Sequence, residues 1–401
     1  MVSDLYWPLI GGLETVVRGL SRELTARGHT VAVATLAQDG LPASEDDADV
    51  AIRRIGGTMQ RVEQLFSESA RRYAPPFPDP EATVNLRAVL DDFRPDVVHG
   101  HNWLIRSFLP LKHRRGPRLV VTLHDYGVAC AKRTLYDLHQ EICSGPGPRK
   151  CLACSADHYG AAKGWTVTTT NWASALVEGR LVDRYLPISS AVADGNRLAR
   201  RGLPHEVIPN FTPPAPPEDP RHAELLARLP DEPFLLFVGA LGRHKGVDVL
   251  LEAYRHVDDA PPLVLIGARW PDMPPVPDGV TVLHDWPAAA VAAAWRRCMV
   301  AVVPSAWAEP FGLVALEAMQ AGRPVIGTAA GGLADVVVDG ETGLLVRPGD
   351  ATALAAALRR LVADEPLRRR MGAAGRARVG AYTPEAIVPR FEAAYARVLA
   401  A

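Results

Sequence analysis

The second half of the chain repeats one pattern: a short apolar run, a turn, and then a helical stretch with an apolar face. The apolar runs occupy residues 234–239, 263–267, 280–283 and 299–304. Continuous apolar runs of this length are typical of strands buried on both faces. Strands separated by helices pair in parallel, and the helices cover both sides of the sheet. The pattern therefore predicts an α/β fold built on a parallel sheet.

The first half alternates strands and helices in the same way, so the chain divides into two Rossmann-like domains. Its 401 residues exceed what one ordinary core holds. Residues 212–220 include five prolines and have neither helix nor strand potential. We predict a first domain over residues 1–211, a linker over 212–220, a second domain over 221–383 and a closing helix over 384–401.

Composition and charge exclude several classes of protein. The 44 basic and 45 acidic residues give a formal net charge of −1, which provides no general attraction for nucleic acid. No apolar run of the sequence approaches the roughly 18 residues that a membrane-spanning helix needs. The first residues lack the basic and apolar regions of a secretory signal, so we expect a cytoplasmic protein with reduced thiols.

One basic cluster precedes a predicted strand of the first domain. It consists of Lys112, His113, Arg114, Arg115 and Arg118. The pattern favours a solvated loop. It leaves open a site for an acceptor phosphate or for peripheral contact with a membrane surface.

Residues 305–322 follow a predicted buried strand and lead into a helix. Pro310 suits the first helical position because it has no N–H group to leave unpaired. With the helix beginning near Phe311, the unpaired amides of Phe311, Gly312 and Leu313 would face the carboxyl end of the strand. Such amides bind anions, and a glycine lets an anion approach the backbone closely. The stretch therefore predicts a diphosphate-binding site.

Two carboxylates flank this predicted site. Glu309 lies at its mouth, and Glu317 lies deeper along the helix, where it could accept hydrogen bonds from two ribose hydroxyls. The alternative is that Glu309 only complements the helix dipole and Glu317 only faces solvent.

Glu309 and Glu317 belong to a longer series of motifs, which continues at residues 321–326, 331–333 and 340–346. In this order the motifs resemble the donor-binding half of the family 4 (group 1) retaining glycosyltransferases. The resemblance implies the GT-B architecture, in which two facing Rossmann-like domains enclose a deep interdomain cleft and the closing helix packs back on the first domain. It also implies a nucleotide diphosphate sugar as donor, with UDP favoured, and a small-molecule, lipid or glycan acceptor.

The family has a glycine turn near its amino terminus, and Gly11 and Gly12 match it. The resemblance implies that their amides approach a phosphate of the donor or acceptor. The family has a full strand before this turn, whereas only Val2 and Ser3 remain of it here, so the strand is shortened or begins upstream. The alternative for the two glycines is a simple turn at the start of a helix.

Histidines follow two predicted strands of the first domain. His99 and His101 end one apolar run, and His124 follows the next. The carboxyl ends of parallel strands face the ligand crevice of open α/β sheets. His124 matches the family's histidine after the corresponding strand, which implies contact with the transferred sugar, and His99 and His101 are secondary candidates. The alternative is a structural role in the protein interior.

Two cations follow the first strand of the second domain. The family commonly has an arginine soon after the glycine of that strand and a lysine before the next glycine. Lys245 matches the lysine, whereas Ala240 occupies the arginine position and Arg243 is a nearby substitute. The resemblance implies that these cations neutralise the departing diphosphate, with no catalytic metal. The alternative is that both are exposed loop cations.

The predicted catalytic residues are therefore His124, Arg243, Lys245 and Glu309. We see no carboxylate whose position marks it as a nucleophile. The acceptor is therefore expected to attack on the face from which the diphosphate leaves.

Four of the five cysteines fall in a segment rich in glycine and proline, over about residues 126–165. They are Cys130, Cys143, Cys151 and Cys154. A Cys-x-x-Cys pair with two further cysteines offers the four thiolates of a structural zinc site, which we predict here. Two disulfides and four free thiols are the alternatives.

Residues 45–49 include an Asp-x-Asp triplet, Asp47-Ala48-Asp49. Such triplets hold a divalent metal in other glycosyltransferases. Here the acidic surroundings instead predict a solvated loop.

Two rival functions fit part of this pattern. One is a nucleotide-sugar epimerase of the same fold, and the other is a catalytically silent module that binds a sugar nucleotide or a glycan. The glycine turn and the cations at Arg243 and Lys245 favour transfer. An oxidoreductase is disfavoured, because no complete Gly-x-Gly-x-x-Gly follows a predicted strand.

Overall fold

A computed structural model describes residues 1–9, 11–62 and 71–401 of the chain. The described residues form two compact units. The first unit comprises Met1–Leu138, Cys143–Asn210 and Pro384–Ala401, and the second comprises Phe211–Thr383 together with His139–Ile142. Each unit is built on a sheet of parallel strands connected largely through helices, which confirms the predicted α/β class with two Rossmann-like domains.

The strands of the two units are short. In chain order they are β1 (Val2–Ser3), β2 (Ala32–Leu36), β3 (Ser44–Asp47), β4 (Val50–Ile55), β5 (Val97–His101), β6 (Arg118–Leu123), β7 (Arg184–Pro187), β8 (Leu235–Val238), β9 (Leu263–Ile266), β10 (Val280–Leu283), β11 (Val300–Val303), β12 (Val325–Thr328) and β13 (Gly343–Val346). Each of the four apolar runs of the second half contains one strand, β8 to β11.

The helices connect and cover these strands. In chain order they are α1 (Gly12–Ala26), α2 (Pro80–Phe93), α3 (Pro148–Tyr159), α4 (Ala161–Leu181), α5 (Ser190–Gly195), α6 (Ala223–Leu226), α7 (Val247–Arg255), α8 (Ala288–Arg297), α9 (Leu313–Gln320), α10 (Leu333–Val336), α11 (Ala351–Ala363), α12 (Glu365–Val379) and α13 (Pro384–Ala400). None of the described helices combines the length and the apolar character needed to cross a membrane.

The sheet of the first unit contains seven strands among the described residues, in the order β3-β4-β2-β1-β5-β6-β7. The short strand β1 lies between β2 and β5 and pairs in parallel with both. Helix α1 buries Val16, Val17, Leu20 and Leu24 on one face, as its apolar spacing predicts. The carboxyl ends of β1, β5 and β6 lie at the same edge of the sheet, which sets the position of the histidines described below.

Only the first residue of the Asp-x-Asp triplet departs from the predicted solvated loop, because Asp47 ends β3 whereas Ala48 and Asp49 form an exposed turn. Residues 44–47 form β3, which pairs antiparallel with β4. Asp47 accepts hydrogen bonds from Arg18 at 2.7 and 2.9 Å and also pairs with Arg22. These guanidinium groups hold the pKa of Asp47 well below its usual range, although burial acts in the opposite direction. The sequence shows the acidic run but not the cations of α1 that meet it.

The last helix, α13, belongs to the first unit. Its Glu392 contacts Arg27 at 3.4 Å and His29 at 3.0 Å. Its Tyr395 hydroxyl lies 2.7 Å from Nδ1 of His99, in the middle of β5. Ile387, Val388, Phe391 and Val398 are buried. The chain therefore returns to its first unit after completing the second.

The sheet of the second unit contains six strands in the described part of the chain, in the order β10-β9-β8-β11-β12-β13, and every neighbouring pair is parallel. Its core joins the strands to α7, α11 and α12 through buried aliphatic side chains. The strand order reverses direction between β8 and β11. In open parallel sheets, ligands bind beside the carboxyl ends of the strands at such a point. The loops after β8 and β11 carry the cations and carboxylates predicted from the sequence.

Candidate active site

The loop after β11 does not begin its helix where the sequence predicts. Pro310 lies in a bend and α9 begins at Leu313, so Pro310 is not the first helical residue. Gly312 is the N-cap, with φ +100°, a left-handed conformation that breaks the helical path before Leu313. A Cβ at Gly312 would also lie 2.8 Å from Leu333 Cδ1. The position therefore requires glycine for both conformation and space.

The amino terminus of α9 nevertheless has free backbone amides, and its role as an anion site remains a prediction. The Gly312 carbonyl accepts hydrogen bonds from the amides of Ala315 at 3.0 Å and Leu316 at 3.4 Å. The amides at the start of an α-helix have no acceptor within the helix. Leu313 and its neighbours can therefore donate to an anion there, whereas Phe311 is a buried residue of the preceding loop.

The structure brings two predicted catalytic residues into contact. Lys245 Nζ donates to Glu309 Oε2 at 2.6 Å. The same carboxylate oxygen accepts from Ser305 Oγ at 3.1 Å and from Trp307 Nε1 at 3.0 Å. All three hydrogen bonds reach Oε2, which leaves Glu309 Oε1 as an acceptor.

The charge on Glu309 follows from these contacts. Burial raises the pKa of the carboxyl, but the charge of Lys245 and the hydrogen bonds from Lys245, Ser305 and Trp307 outweigh it. The pKa of Glu309 is consequently lower than usual, and the group is a carboxylate at neutral pH. The sequence did not indicate Ser305 and Trp307 as partners, because their reach depends on how the loop folds.

Lys245 is positioned by the glycine that follows it. Gly246 has φ +72°, and a Cβ there would lie 2.1 Å from the Pro304 carbonyl oxygen. This close approach brings the turn at Arg243–Lys245 against the end of β11. Arg243 itself is exposed, and its backbone amide donates to Asp272 at 3.3 Å. Among the described residues we find no ion pair to its side chain.

Glu317 lies about one turn into α9, on the same face as Leu313. Its Oε2 accepts a hydrogen bond of 3.3 Å from Nε1 of Trp295, a side chain that is 1% exposed. Burial raises the pKa of Glu317, and this hydrogen bond opposes the rise only in part. A partly buried carboxylate held by one indole N–H has capacity to accept further hydrogen bonds.

In the first unit, His124 lies immediately after β6 and contacts the last residue of β5. His124 Nε2 is 3.0 Å from His101 Nδ1. His99, on the same face of β5, contacts Thr122 Oγ1 through Nε2 at 2.7 Å. Burial lowers the pKa of His124 to about 4 and that of His101 well below its usual range. These two rings are therefore neutral at pH 7.

Arg133, which the sequence did not indicate, forms hydrogen bonds at this edge of the sheet. Arg133 donates to Asp125 at 2.5 and 2.9 Å and to Asn102 at 2.7 Å. Asp4, which directly follows β1, is buried, and burial raises its pKa to about 6 although the charge of Arg133 opposes the rise. The position of Asp125 after His124 was visible in the sequence. Nothing in the pattern around Arg133 distinguished it from other arginines.

The predicted glycine turn lies at the start of α1. Gly11 is the N-cap in an extended conformation, and Gly12 is the first helical residue. A Cβ on Gly11 would lie 2.2 Å from Glu14 Oε2, so a side chain there would displace that carboxylate. Ile10 lies outside the described residues. The role of the two glycines at a phosphate remains a prediction.

The zinc site is not supported. All five cysteines are free, and no group of three or more histidine, cysteine, aspartate or glutamate side chains among the described residues is arranged to hold a metal ion. Three of the sulfurs make hydrogen bonds: Cys143 donates to the Gly145 carbonyl at 3.5 Å, Cys151 accepts from the Gly147 amide at 3.3 Å, and Cys154 accepts from Lys132 Nζ at 3.5 Å. Burial raises the pKa of the Cys130 thiol. The spacing of the cysteines in the sequence indicated that they lie close together, but it could not show whether their sulfurs face one common metal position.

The basic cluster lies at the opposite edge of the first sheet from His124, because it precedes the start of β6. Lys112, His113, Arg115 and Arg118 line a cavity of about 780 Å³. Asp183 contacts Lys112 at 2.9 Å and Arg118 at 3.7 Å. Asp183 therefore neutralises part of the positive charge of the cluster. This favours the predicted solvated surface over a site for an acceptor phosphate.

Two family models match the chain. Residues 10–215 match the model described as Glycosyltransferase Family 4, and residues 221–378 match the model described as Glycosyl transferases group 1. These matches confirm the resemblance drawn from the motifs.

Individual proteins are similar over much of the chain. The D-inositol 3-phosphate glycosyltransferase of Stackebrandtia nassauensis is 36% identical over 299 residues, which cover 69% of this chain and 62% of that protein. The solved structure of sucrose-phosphate synthase from Thermosynechococcus elongatus covers 100% of this chain and 99% of its own, with a TM-score of 0.74 and 25% identity. Anabaena HepE in complex with UDP covers 99% of this chain and 98% of its own, with a TM-score of 0.68 and 17% identity. The structural likeness confirms the GT-B class of the fold.

Proposed function

The chain belongs to the family 4 (group 1) glycosyltransferases, and from this membership we propose that it transfers a sugar from a nucleotide diphosphate donor to a hydroxyl acceptor with retention of configuration. The observation that carries the proposal is the cluster at the amino terminus of α9. It combines unpaired amides, the ammonium of Lys245 and the carboxylate of Glu309. Cations and amides suit a diphosphate, and a carboxylate suits sugar hydroxyls.

The diphosphate binds at the amino terminus of α9 in this proposal. Amides around Gly312 and Leu313 donate to its oxygens, and Lys245 and the exposed Arg243 neutralise the charge that develops as the diphosphate leaves. Such fixed donors stabilise a developing anion by several kcal/mol, about 2.7–4 kcal/mol for one oxyanion donor. Glu317 accepts hydrogen bonds from the ribose hydroxyls, with its carboxylate oriented by Trp295.

Glu309 contacts the transferred sugar rather than the nucleotide. Its Oε2 is occupied by Lys245, Ser305 and Trp307, so Oε1 faces the substrate as a hydrogen-bond acceptor. Because Lys245 carries three N–H donors, it can keep this contact while donating to a phosphate oxygen. His124 is proposed as a further contact to the transferred sugar, and Gly11 and Gly12 as backbone contacts to a phosphate, because the family resemblance implies these roles.

The bond exchange takes place on one face of the sugar. The acceptor hydroxyl oxygen bonds to the anomeric carbon as the bond from that carbon to the diphosphate oxygen breaks, and the hydroxyl proton passes to the leaving diphosphate. Retention by this route needs no protein nucleophile. The charge of the leaving group is neutralised by cations and amides, so the step needs no magnesium.

UDP is the proposed carrier, supported by the Anabaena neighbour solved in complex with UDP. The acceptor is proposed only as a class, a hydroxyl on a small molecule, lipid or glycan. The names of the relatives differ: one names D-inositol 3-phosphate, and the other names sucrose phosphate as the compound made.

The test incubates the purified chain with UDP-sugars and a panel of hydroxyl acceptors that includes inositol phosphates. We expect UDP release that depends on the acceptor, and NMR of the glycoside should show the anomeric configuration of the donor. An inverted product would refute retention. An epimerised nucleotide sugar formed without acceptor would identify an epimerase, and saturable binding without turnover of any pair would identify a silent binding module.

A further inference from the structure

The hydrogen bond between His101 and His124 restricts which ring nitrogens of the two residues can be protonated. His101 is 0% exposed, and its Nδ1 lies 3.0 Å from His124 Nε2. The other nitrogen of His101, Nε2, is buried and has no hydrogen-bond partner among the described residues. No described hydrogen bond involves His124 Nδ1.

The contact follows from strand register. His101 pairs with Thr122 across the parallel strands β5 and β6. His124 lies two residues beyond Thr122, and side chains two residues apart share one face of a sheet. His99 is on that face as well, but its two nitrogens are taken by Tyr395 and Thr122. Of the two histidines on β5, His101 is therefore the one that contacts His124.

Two neutral rings that share this hydrogen bond have two arrangements. Burial keeps the pKa values of both histidines well below neutrality, so each ring has one N–H. In the first arrangement His101 Nδ1 donates to His124 Nε2, and the proton of His124 is on Nδ1. In the second, His124 Nε2 donates to His101 Nδ1, and the proton of His101 is on its partnerless Nε2.

The burial of His101 Nε2 distinguishes these arrangements. The second one leaves a donor N–H without an acceptor in the interior, and genuinely orphaned buried N–H groups are rare in proteins. The first one leaves only an unprotonated nitrogen there. The first arrangement is therefore favoured, and it turns His124 Nδ1 into a hydrogen-bond donor.

We propose that His101 is a positioning residue that fixes His124 in the Nδ1–H tautomer, so that His124 donates a hydrogen bond to an oxygen of the transferred sugar. The ligand class is an uncharged oxygen acceptor, a hydroxyl or an ether oxygen. The role of His124 toward the sugar rests on the proposed function, whereas its tautomer does not. The two parts are therefore tested separately.

The tautomer is read from the full chain labelled with ¹⁵N-histidine, by two-bond ¹H–¹⁵N correlation at pH 7. The His124 signals are assigned by their loss in His124→Gln. We expect the Nδ1–H pattern for His124 in the wild type. An Nε2–H pattern or a doubly protonated ring would overturn the proposal, whether or not the chain proves to be a glycosyltransferase.

Variants then test whether His101 is the cause. His101→Leu should produce a mixture of His124 tautomers and lower the turnover of the sugar transfer about tenfold, the loss expected for one neutral hydrogen bond. His101→Asn keeps an N–H close to the position of Nδ1 and should restore both. Retention of the pure Nδ1–H tautomer in a folded His101→Leu would overturn the assignment. If that variant does not fold, the wild-type spectrum and His101→Asn still decide.

Tyr395→Phe is the matched control. It removes the hydroxyl that contacts His99 Nδ1 at 2.7 Å, which disturbs the same group of buried rings without touching the bond between His101 and His124. We expect an unchanged His124 tautomer. A change as large as that in His101→Leu would mean that general packing sets the tautomer, contrary to the proposal.

Discussion

The ion pair between Lys245 and Glu309 predicts a measurable effect on stability. Lys245 Nζ lies 2.6 Å from Glu309 Oε2, and the two side chains keep 23% and 14% of their exposure. Exposed ion pairs contribute about 0.2–1 kcal/mol, whereas removing one partner of a buried pair costs about 3–5 kcal/mol. This pair is mostly buried, and Ser305 and Trp307 remain hydrogen bonded to the carboxylate. We therefore expect Lys245→Met to lower the free energy of unfolding by about 1–3 kcal/mol at pH 7.

The sign of the pH dependence follows from the pKa of Glu309. Its folded pKa is depressed by Lys245 and the other donors despite burial, so it adds stability above its unfolded pKa and loses it as the pH falls. In Lys245→Met, burial is opposed only by neutral donors, and the pKa of Glu309 rises. The deficit of the variant should therefore be largest near pH 7 and shrink as the pH falls from the raised pKa of Glu309 in the variant toward its depressed folded pKa in the wild type.

A double-mutant cycle measures the effect. Urea unfolding of the wild type, Lys245→Met, Glu309→Gln and the double variant is followed by tryptophan fluorescence at pH 7 and pH 4. We expect a coupling free energy of at least about 1 kcal/mol at pH 7 and a smaller one at pH 4. Arg243→Met, a neighbouring exposed cation, is the control and should change stability by less than about 0.5 kcal/mol. If the losses in free energy of unfolding of the two single variants add up to that of the double variant at pH 7, the expected coupling between Lys245 and Glu309 is refuted.

Further predictions concern catalysis and the turn that holds the cluster. Lys245→Ala should reduce turnover about a hundredfold or more, in steady-state assays of UDP release; a loss below tenfold would remove its role at the leaving group. Glu317→Gln should weaken UDP binding by about 1.5–3 kcal/mol in calorimetry while the thermal unfolding temperature stays unchanged. A short incubation with chelator should leave transfer intact, and immediate loss restored by magnesium would contradict the mechanism. Gly246→Ala should lower the free energy of unfolding in urea by more than about 2 kcal/mol, because the new Cβ would clash with the Pro304 carbonyl oxygen. Gly279→Ala is the control: its φ is +83° but the space around it is open, so the loss should be only about 1 kcal/mol.

The sequence predicted the features that repeat along the chain. Buried strands such as β8 and β11 are continuous apolar runs, and a parallel sheet follows from their alternation with helices. The order of motifs around Glu309 and Glu317 was enough to indicate the family. These features were accessible because each depends on residues close in the sequence.

The errors all involve contacts between distant residues or a local conformation that competes with propensity. Pro310 fits a helix start, but the left-handed Gly312 delays the helix to Leu313. Residues 44–47 of the acidic run form a strand that pairs with β4, and arginines of α1 neutralise Asp47 at its end. The cysteine spacing could not show whether the sulfurs are arranged to hold a metal ion. The buried pairing of His101 with His124 depends on strand register, which the sequence of one chain does not specify.

The return of α13 to the first unit imposes an order on biosynthesis. Apart from His139–Ile142, the second unit is one continuous stretch, Phe211–Thr383, inserted into the first. The ribosome makes that stretch before Pro384–Ala401, so every residue of the second unit exists while the first unit still lacks its last helix. Until α13 is made, His99 lacks its hydrogen bond to the Tyr395 hydroxyl, and Arg27 and His29 lack their ion pairs with Glu392. A purified chain truncated before Pro384 should therefore have a protease-resistant second unit and a protease-sensitive first one.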